Sequence, residues 1–114
     1  MKEGDLILAA LPQADGQFKN RPVLILRVLP RYRDLLVCGI STQLHQQVVG
    51  FDEIITIRDK DFAATGLIQN SLIRLSFLSL VPRRRVIGTI GSVTTERHYR
   101  LLTTLSAYLL SAIP

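Results

Sequence analysis

The side chains in this sequence best equipped for chemistry are its arginines. Fourteen Lys and Arg stand against nine Asp and Glu, giving a formal net charge of +5 and a sequence pI of about 10.0. Lysine supplies only Lys2, Lys19 and Lys60 of these. A guanidinium presents a planar fork of donors that fits two phosphate oxygens at once. A small domain rich in arginine therefore points to a polyanionic partner, nucleic acid above all, with a basic surface kept for solubility as the alternative. Arg74 stands out because it interrupts an otherwise apolar run, Ser71–Val81, where a charged side chain needs a partner or water. The basic run Val81-Pro82-Arg83-Arg84-Arg85 reads first as a solvated turn between two strands, with phosphate contact as the other reading.

Other site chemistries find little support. The two histidines, His45 and His98, are far apart in sequence, and Cys38 is the single cysteine, whereas zinc needs three or four convergent ligands. No metal site and no cofactor are expected. Gly88 and Gly91 lack the lysine and the spacing of a phosphate-binding loop. Cys38 sits in the apolar run Leu35-Leu36-Val37-Cys38-Gly39-Ile40 and reads as a buried structural thiol, since a nucleophile wants an exposed, electropositive setting. A Cys38–His45 nucleophile pair would need that exposure. A helix-turn-helix reader needs two successive helices, and the sequence offers one good one.

The elements that must position these arginines are mostly strands. Asp5–Leu11, Pro22–Val28, Asp34–Ser41, Phe51–Ile57 and Ser71–Val81 are apolar or β-branched runs of strand length, punctuated by Pro12, Pro22, Pro30 and Pro82. The polar stretch between Pro12 and Asn20 carries turn chemistry at Asp15-Gly16. Ser71–Val81 alternates, with Ile73, Leu75 and Phe77 on one face and Arg74, Ser76 and Leu78 on the other. Asp59–Ala64 reads as a single helical turn before Gly66. The period then changes. Thr94 can cap a helix with Glu96 in its first turn. Leu102, Leu105, Leu109 and Ile113 follow at spacings of three and four, widened by Leu101, Tyr108 and Ala112, an apolar stripe that should pack on the sheet. Arg97 and Arg100 fall elsewhere on the helix surface. Short strands at close spacing followed by one helix predict a mainly β (α+β) fold, a small barrel or sandwich.

With 114 residues and 47% hydrophobic composition, the chain fits one domain spanning residues 1–114, able to bury about two-thirds of its unfolded surface without staples. A lone cysteine excludes an intrachain disulfide, no signal peptide is visible, and no apolar stretch reaches the roughly 18 residues of a membrane span. The expected location is the cytoplasm.

Several segments then fall in a familiar order. Gly4-Asp5-Leu6-Ile7-Leu8-Ala9 opens the chain, and Asn20-Arg21-Pro22-Val23-Leu24-Ile25-Leu26 follows a polar loop. Ile40-Ser41-Thr42-Gln43 ends a third strand, and Thr65-Gly66-Leu67, Asn70-Ser71-Leu72-Ile73-Arg74-Leu75 and Ile90-Gly91 precede the helix. Over nearly its whole length this pattern resembles the PemK/MazF toxins of bacterial toxin–antitoxin pairs. The resemblance implies an SH3-like barrel with a C-terminal helix, shared with the gyrase-poison toxin CcdB, that works as a homodimer. It implies a metal-independent endoribonuclease that cuts single-stranded RNA by attack of the neighbouring 2′-hydroxyl on phosphorus. It also implies a cognate antitoxin peptide as partner, acidic enough to suit a basic groove, and leaves DNA binding open at the level of the family.

By the same resemblance, Arg21 and Arg74 are the catalytic arginines and Thr42 the hydroxyl that holds a phosphate oxygen, with Ser41, Gln43, His45, Ser76 and Lys19 as further RNA-binding candidates. The sequence departs from the family pattern two residues beyond Arg74, where Ser76 stands on the expected strand face in place of a carboxylate. The first loop carries Asp15 and no histidine, which leaves His45 as a candidate base. Three functions are open: an RNase toxin, a catalytically weak or inactive RNA- or protein-binding module of the same fold, and an interaction protein without a nucleic-acid role.

Overall fold

The computed structural model describes residues 1–112, so Ile113 of the apolar stripe lies outside the described residues. Six strands, β1 (Asp5–Pro12), β2 (Phe18–Val28), β3 (Leu35–Ser41), β4 (Glu53–Ile55), β5 (Ser71–Val81) and β6 (Val86–Ser92), precede one helix, α1 (Thr95–Leu109). They form a single antiparallel sheet in the order β4-β5-β3-β2-β1-β6, so the fold is mainly β with a C-terminal helix, as expected.

Neighbouring residues of the central strands go into different cores. Leu6, Leu24, Cys38 and Ile73 lie in one cluster with Leu101 and Leu105 of α1, while Ile7, Val23, Ile25 and Val37 lie in a second with Val81. Side chains alternate across a strand, so burial on both faces explains why Asp5–Leu11 and Pro22–Val28 read as unbroken apolar runs. The sheet also curls. Edge strand β6 meets the 3₁₀ turn Ala63–Thr65, which follows the opposite edge strand β4. Two glycines permit this contact. A Cβ on Gly66, which has φ +75°, would strike the carbonyl of Ile90, and one on Gly91 would strike the backbone of Ala64 and Thr65.

Helix α1 starts as its capping chemistry predicts: the Arg97 N–H donates to Oγ1 of Thr94 at 3.2 Å. Its buried side differs from the predicted stripe. Arg97, Leu101 and Leu105, spaced by four, face inward, while Tyr108 and Leu109 are mostly exposed. Far from lying on the outer surface, Arg97 is only 8% exposed. Its guanidinium donates to Asp61 from Nε (2.8 Å) and Nη2 (3.1 Å), and from Nη1 to Glu53 at 3.0 Å. Arg100 donates to Glu53 twice, each at 2.9 Å. These ion pairs tie the helix to β4 and the turn after it, a role that apolar periodicity does not reveal.

Two other expectations change in detail. The strand predicted over Phe51–Ile57 shrinks to the three residues of β4. The helical turn near Asp59–Ala64 is displaced to Ala63–Thr65. The basic run is, as read, a turn: Arg83–Arg85 make a 3₁₀ turn between β5 and β6.

Candidate active site

Arg21 lies near the start of β2, opposite Ala9 of β1. Thr42 follows the last residue of β3, and Arg74 sits in β5 opposite Gly39 of β3. Because β1, β2, β3 and β5 are neighbours in the curled sheet, these positions share one groove of about 440 Å³. Arg21, Ser41, Thr42, Gln43 and Arg74 line it, together with Phe77.

The electrostatics of this groove are one-sided. Arg21 is exposed, and its Nη2 donates to Oε1 of Gln13 at 3.3 Å. Arg74 is half-buried; its Nε is buried with no hydrogen-bond partner, and its Cζ stands 5.8 Å from the centroid of the Phe77 ring. Among the described residues neither arginine has a carboxylate within salt-bridge distance. No Asp, Glu or His lines the groove. Guanidiniums without a carboxylate partner, in a groove that a threonine also lines, have the chemistry to bind an anion such as a phosphate group. The Ser41 hydroxyl accepts from the Gln43 N–H at 3.0 Å, so it shapes the turn that presents Thr42.

Three of the predicted residues lie elsewhere. Lys19 is exposed on β2 outside the groove lining, and His45 is exposed on the 3₁₀ turn Leu44–Gln46. Ser76 does not share the face of Arg74, because β5 is irregular there. Cys38 pairs with Leu78 and the next residue, Gly39, pairs with Arg74, so Leu75, Ser76 and Phe77 bulge out without counterparts. A bulge re-aims side chains. Leu75 turns inward, Ser76 turns toward Asp52, and Phe77 turns into the groove.

Asp52, 4% exposed, holds this bulge. Its carboxylate accepts from the Ser76 N–H (3.0 Å), the Ser76 hydroxyl (3.0 Å) and the Val48 N–H (2.9 Å). Neither Asp52 nor Phe77 was singled out from the sequence. The only hint was Gly39, since a glycine inside a strand marks a bulge or a close approach.

Cys38 is fully buried, and burial, with the nearby Asp52 charge, pushes its thiol well above the ordinary range, as suits a structural thiol. A larger recess of about 980 Å³ lies between α1, the Val48–Phe51 turn and β5, but no charged side chain lines it, so size and chemistry point to different places.

Residues 2–109 match the family of PemK-like, MazF-like toxins of type II toxin–antitoxin systems. The chain belongs to the PemK/MazF-like toxin family. The fold agrees: a solved structure of the Mycobacterium tuberculosis toxin MazF-mt6 superposes with a TM-score of 0.68 at 23% identity, covering 95% of this chain and 99% of that one. No curated protein matches the sequence significantly. The PemK/MazF-like family is a family of endoribonuclease toxins, which gives the general kind of activity. Among the described residues, no helix is long and apolar enough to cross a membrane.

Proposed function

We propose that this chain is a metal-independent endoribonuclease toxin of the cytoplasm that cuts single-stranded RNA and is held in check by a cognate antitoxin peptide. The observation that carries this reading is the groove that joins Arg21, Thr42 and Arg74 with no acidic side chain among its lining residues. A phosphodiester enters this groove with its non-bridging oxygens toward the two guanidiniums. The ribose 2′-hydroxyl gives its proton to solvent water as its oxygen attacks phosphorus; the bond to the 5′-oxygen breaks and that oxygen takes a proton from water, leaving a 2′,3′-cyclic phosphate and a 5′-hydroxyl. The arginines stabilise the charge that builds on phosphorus, and Thr42 orients the phosphate. Ser41 and Gln43 border the bound strand, while Lys19 and His45 contribute at most beyond the groove. Ser76 has no part in the reaction, since its hydroxyl is committed to Asp52. The working unit is a homodimer, and the acidic antitoxin occupies the same basic groove.

A second reading has its own observation. No group in the groove lining can accept the 2′ proton near neutral pH, and a positioned base contributes about 10²–10⁴-fold in rate. A catalytically weak or inactive RNA-binding module of the same fold is therefore the alternative. One assay separates the two: single-stranded RNA is incubated with purified protein in EDTA. Fragments bearing 5′-hydroxyl ends that disappear in Arg21→Ala and Arg74→Ala support the nuclease. RNA retained but uncut supports the binding module, and cutting that both variants perform at the original rate removes the assigned site.

A further inference from the structure

We propose that Phe77 is a stacking platform for one unpaired nucleobase of the bound strand, the base next to the phosphate held by Arg21 and Arg74. This inference deepens the RNA reading above and rests on it. Phe77 lines the groove and is 46% exposed; the other large apolar strand residues left exposed, Phe18, Leu78, Leu80, Ile87 and Ile90, are not among its lining residues. The ring is not loose. A Cβ built on Gly39 would come 3.1 Å from its Cδ1, so one side of the ring rests on the glycine of β3, and the Arg74 guanidinium lies 5.8 Å from its centroid. Phe77 lines the same cavity as Arg21, Thr42 and Arg74.

The geometry is built from several parts of the chain. Regular alternation would leave Phe77 on the face opposite Arg74. The bulge at Leu75–Phe77 brings both residues to the same groove, and the Asp52 carboxylate, bonded to the Ser76 N–H and hydroxyl, fixes that bulge. An exposed aromatic ring beside a cation that has no acidic partner suits a base stacked on the ring with its phosphate on the guanidinium. Because every base has a π-face, this platform selects unpaired over paired nucleotides more than one base over another. It also fixes the nucleotide beside the scissile bond, which in-line attack requires.

The test uses 2′-O-methyl oligonucleotides, which lack the attacking hydroxyl and stay intact. The chain contains no tryptophan, so Phe77→Trp installs a single indole at the site. A single-stranded oligonucleotide should quench its emission, while an abasic oligonucleotide and inorganic polyphosphate of equal charge should not. Phe77→Leu should bind the single strand about 5- to 150-fold more weakly, with the wild-type dependence of affinity on salt, because no phosphate contact is lost. If wild type binds with steep salt dependence, yet Phe77→Leu binds equally well and the indole is unchanged, the platform is wrong and the RNA reading stands. Equal quenching by polyphosphate also overturns the platform. If wild type shows no salt-dependent binding to the oligonucleotide, both readings fall.

Discussion

The Ser76 hydroxyl lies 3.0 Å from Oδ2 of Asp52, so the residue standing where the family pattern has a carboxylate is bonded to a carboxylate from another part of the chain. Asp52 also accepts the backbone N–H groups of Ser76 and Val48. Asp52→Ala leaves those donors without their acceptor at a site that is 4% exposed and should lower unfolding free energy by about 3 kcal/mol or more. Ser76→Ala removes one hydrogen bond at an exposed side chain and should cost about 1–2 kcal/mol. Ser76→Asp, which restores the family's carboxylate, should destabilise by setting two like charges together and should gain no cleavage, because the side chain faces away from the groove. Urea titrations and RNA cleavage rates check all three. Enhanced cleavage by Ser76→Asp would show that the bulge turns the side chain the other way.

The sequence made the strand content and helix start legible because local rules govern them. Continuous apolar runs mark strands buried on both faces, and Thr94 with Glu96 marks a helix N-terminus. That Arg21, Thr42 and Arg74 line one groove follows from motifs whose order along the chain points to a family and from β-sheet neighbours that bring those motifs together. Three features were out of reach. The bulge at Leu75–Phe77 breaks a period that the sequence keeps intact, so strict alternation puts Ser76 with Arg74 and Phe77 opposite, the reverse of the structure. The burial of Arg97 depends on Glu53 and Asp61, distant in sequence, and a charged residue in a helix reads as surface until its partners are known. The stripe on α1 runs past the sheet, since periodicity reports amphipathicity and not where the packing surface ends.

Arg74 makes no ion pair among the described residues and its Nε is buried without a partner, so its one recorded side-chain interaction is the contact of its guanidinium with the Phe77 ring. Arg74→Met should leave the melting temperature unchanged or raised, because an unsatisfied buried donor is removed while the aliphatic bulk is kept. The same change should reduce RNA cleavage by about 10²–10³-fold, the usual effect of deleting one charge-stabilising donor. Arg74→Lys should recover little, since a point charge does not reproduce the fork. A melting temperature that falls by many degrees in Arg74→Met would assign the arginine to structure instead.

The Arg97 cluster makes stability depend on acid. The Arg97 hydrogen bonds hold the Asp61 carboxyl below the usual aspartate range, against the opposing effect of its burial. A carboxyl with a depressed folded-state pKa contributes stability that is fully present above its unfolded value, about 3.9, and is lost as pH falls through the lower folded value. Melting temperature should therefore drop steeply below about pH 4, and Asp61→Asn should flatten that limb while lowering stability at neutral pH. Arg97→Met leaves a mostly buried carboxylate unpaired and should cost about 3–5 kcal/mol at pH 7. Thermal melts from pH 2.5 to 7 read both effects, and an unchanged acid limb in Asp61→Asn would place the dependence on other groups.

Curling of the sheet depends on Gly66 and Gly91, and the two should respond differently to alanine. Gly66→Ala places a side chain at φ +75° and against the Ile90 carbonyl, combining backbone strain with overlap. Gly91→Ala drives a Cβ into the backbone of Ala64 and Thr65, which cannot rotate away as a side chain could. Each should destabilise by about 2–3 kcal/mol or more, since either β6 or the Ala63–Thr65 turn must move. Gly88→Ala is the internal control: a Cβ there meets nothing within 4 Å, and the change should be nearly neutral. Hydrogen exchange should show amides of β6 losing protection first in Gly91→Ala, with the groove strands β3 and β5 opening only in the global transition. Equal stability of the Gly91→Ala and Gly88→Ala proteins would mean that β6 does not close against that turn in solution.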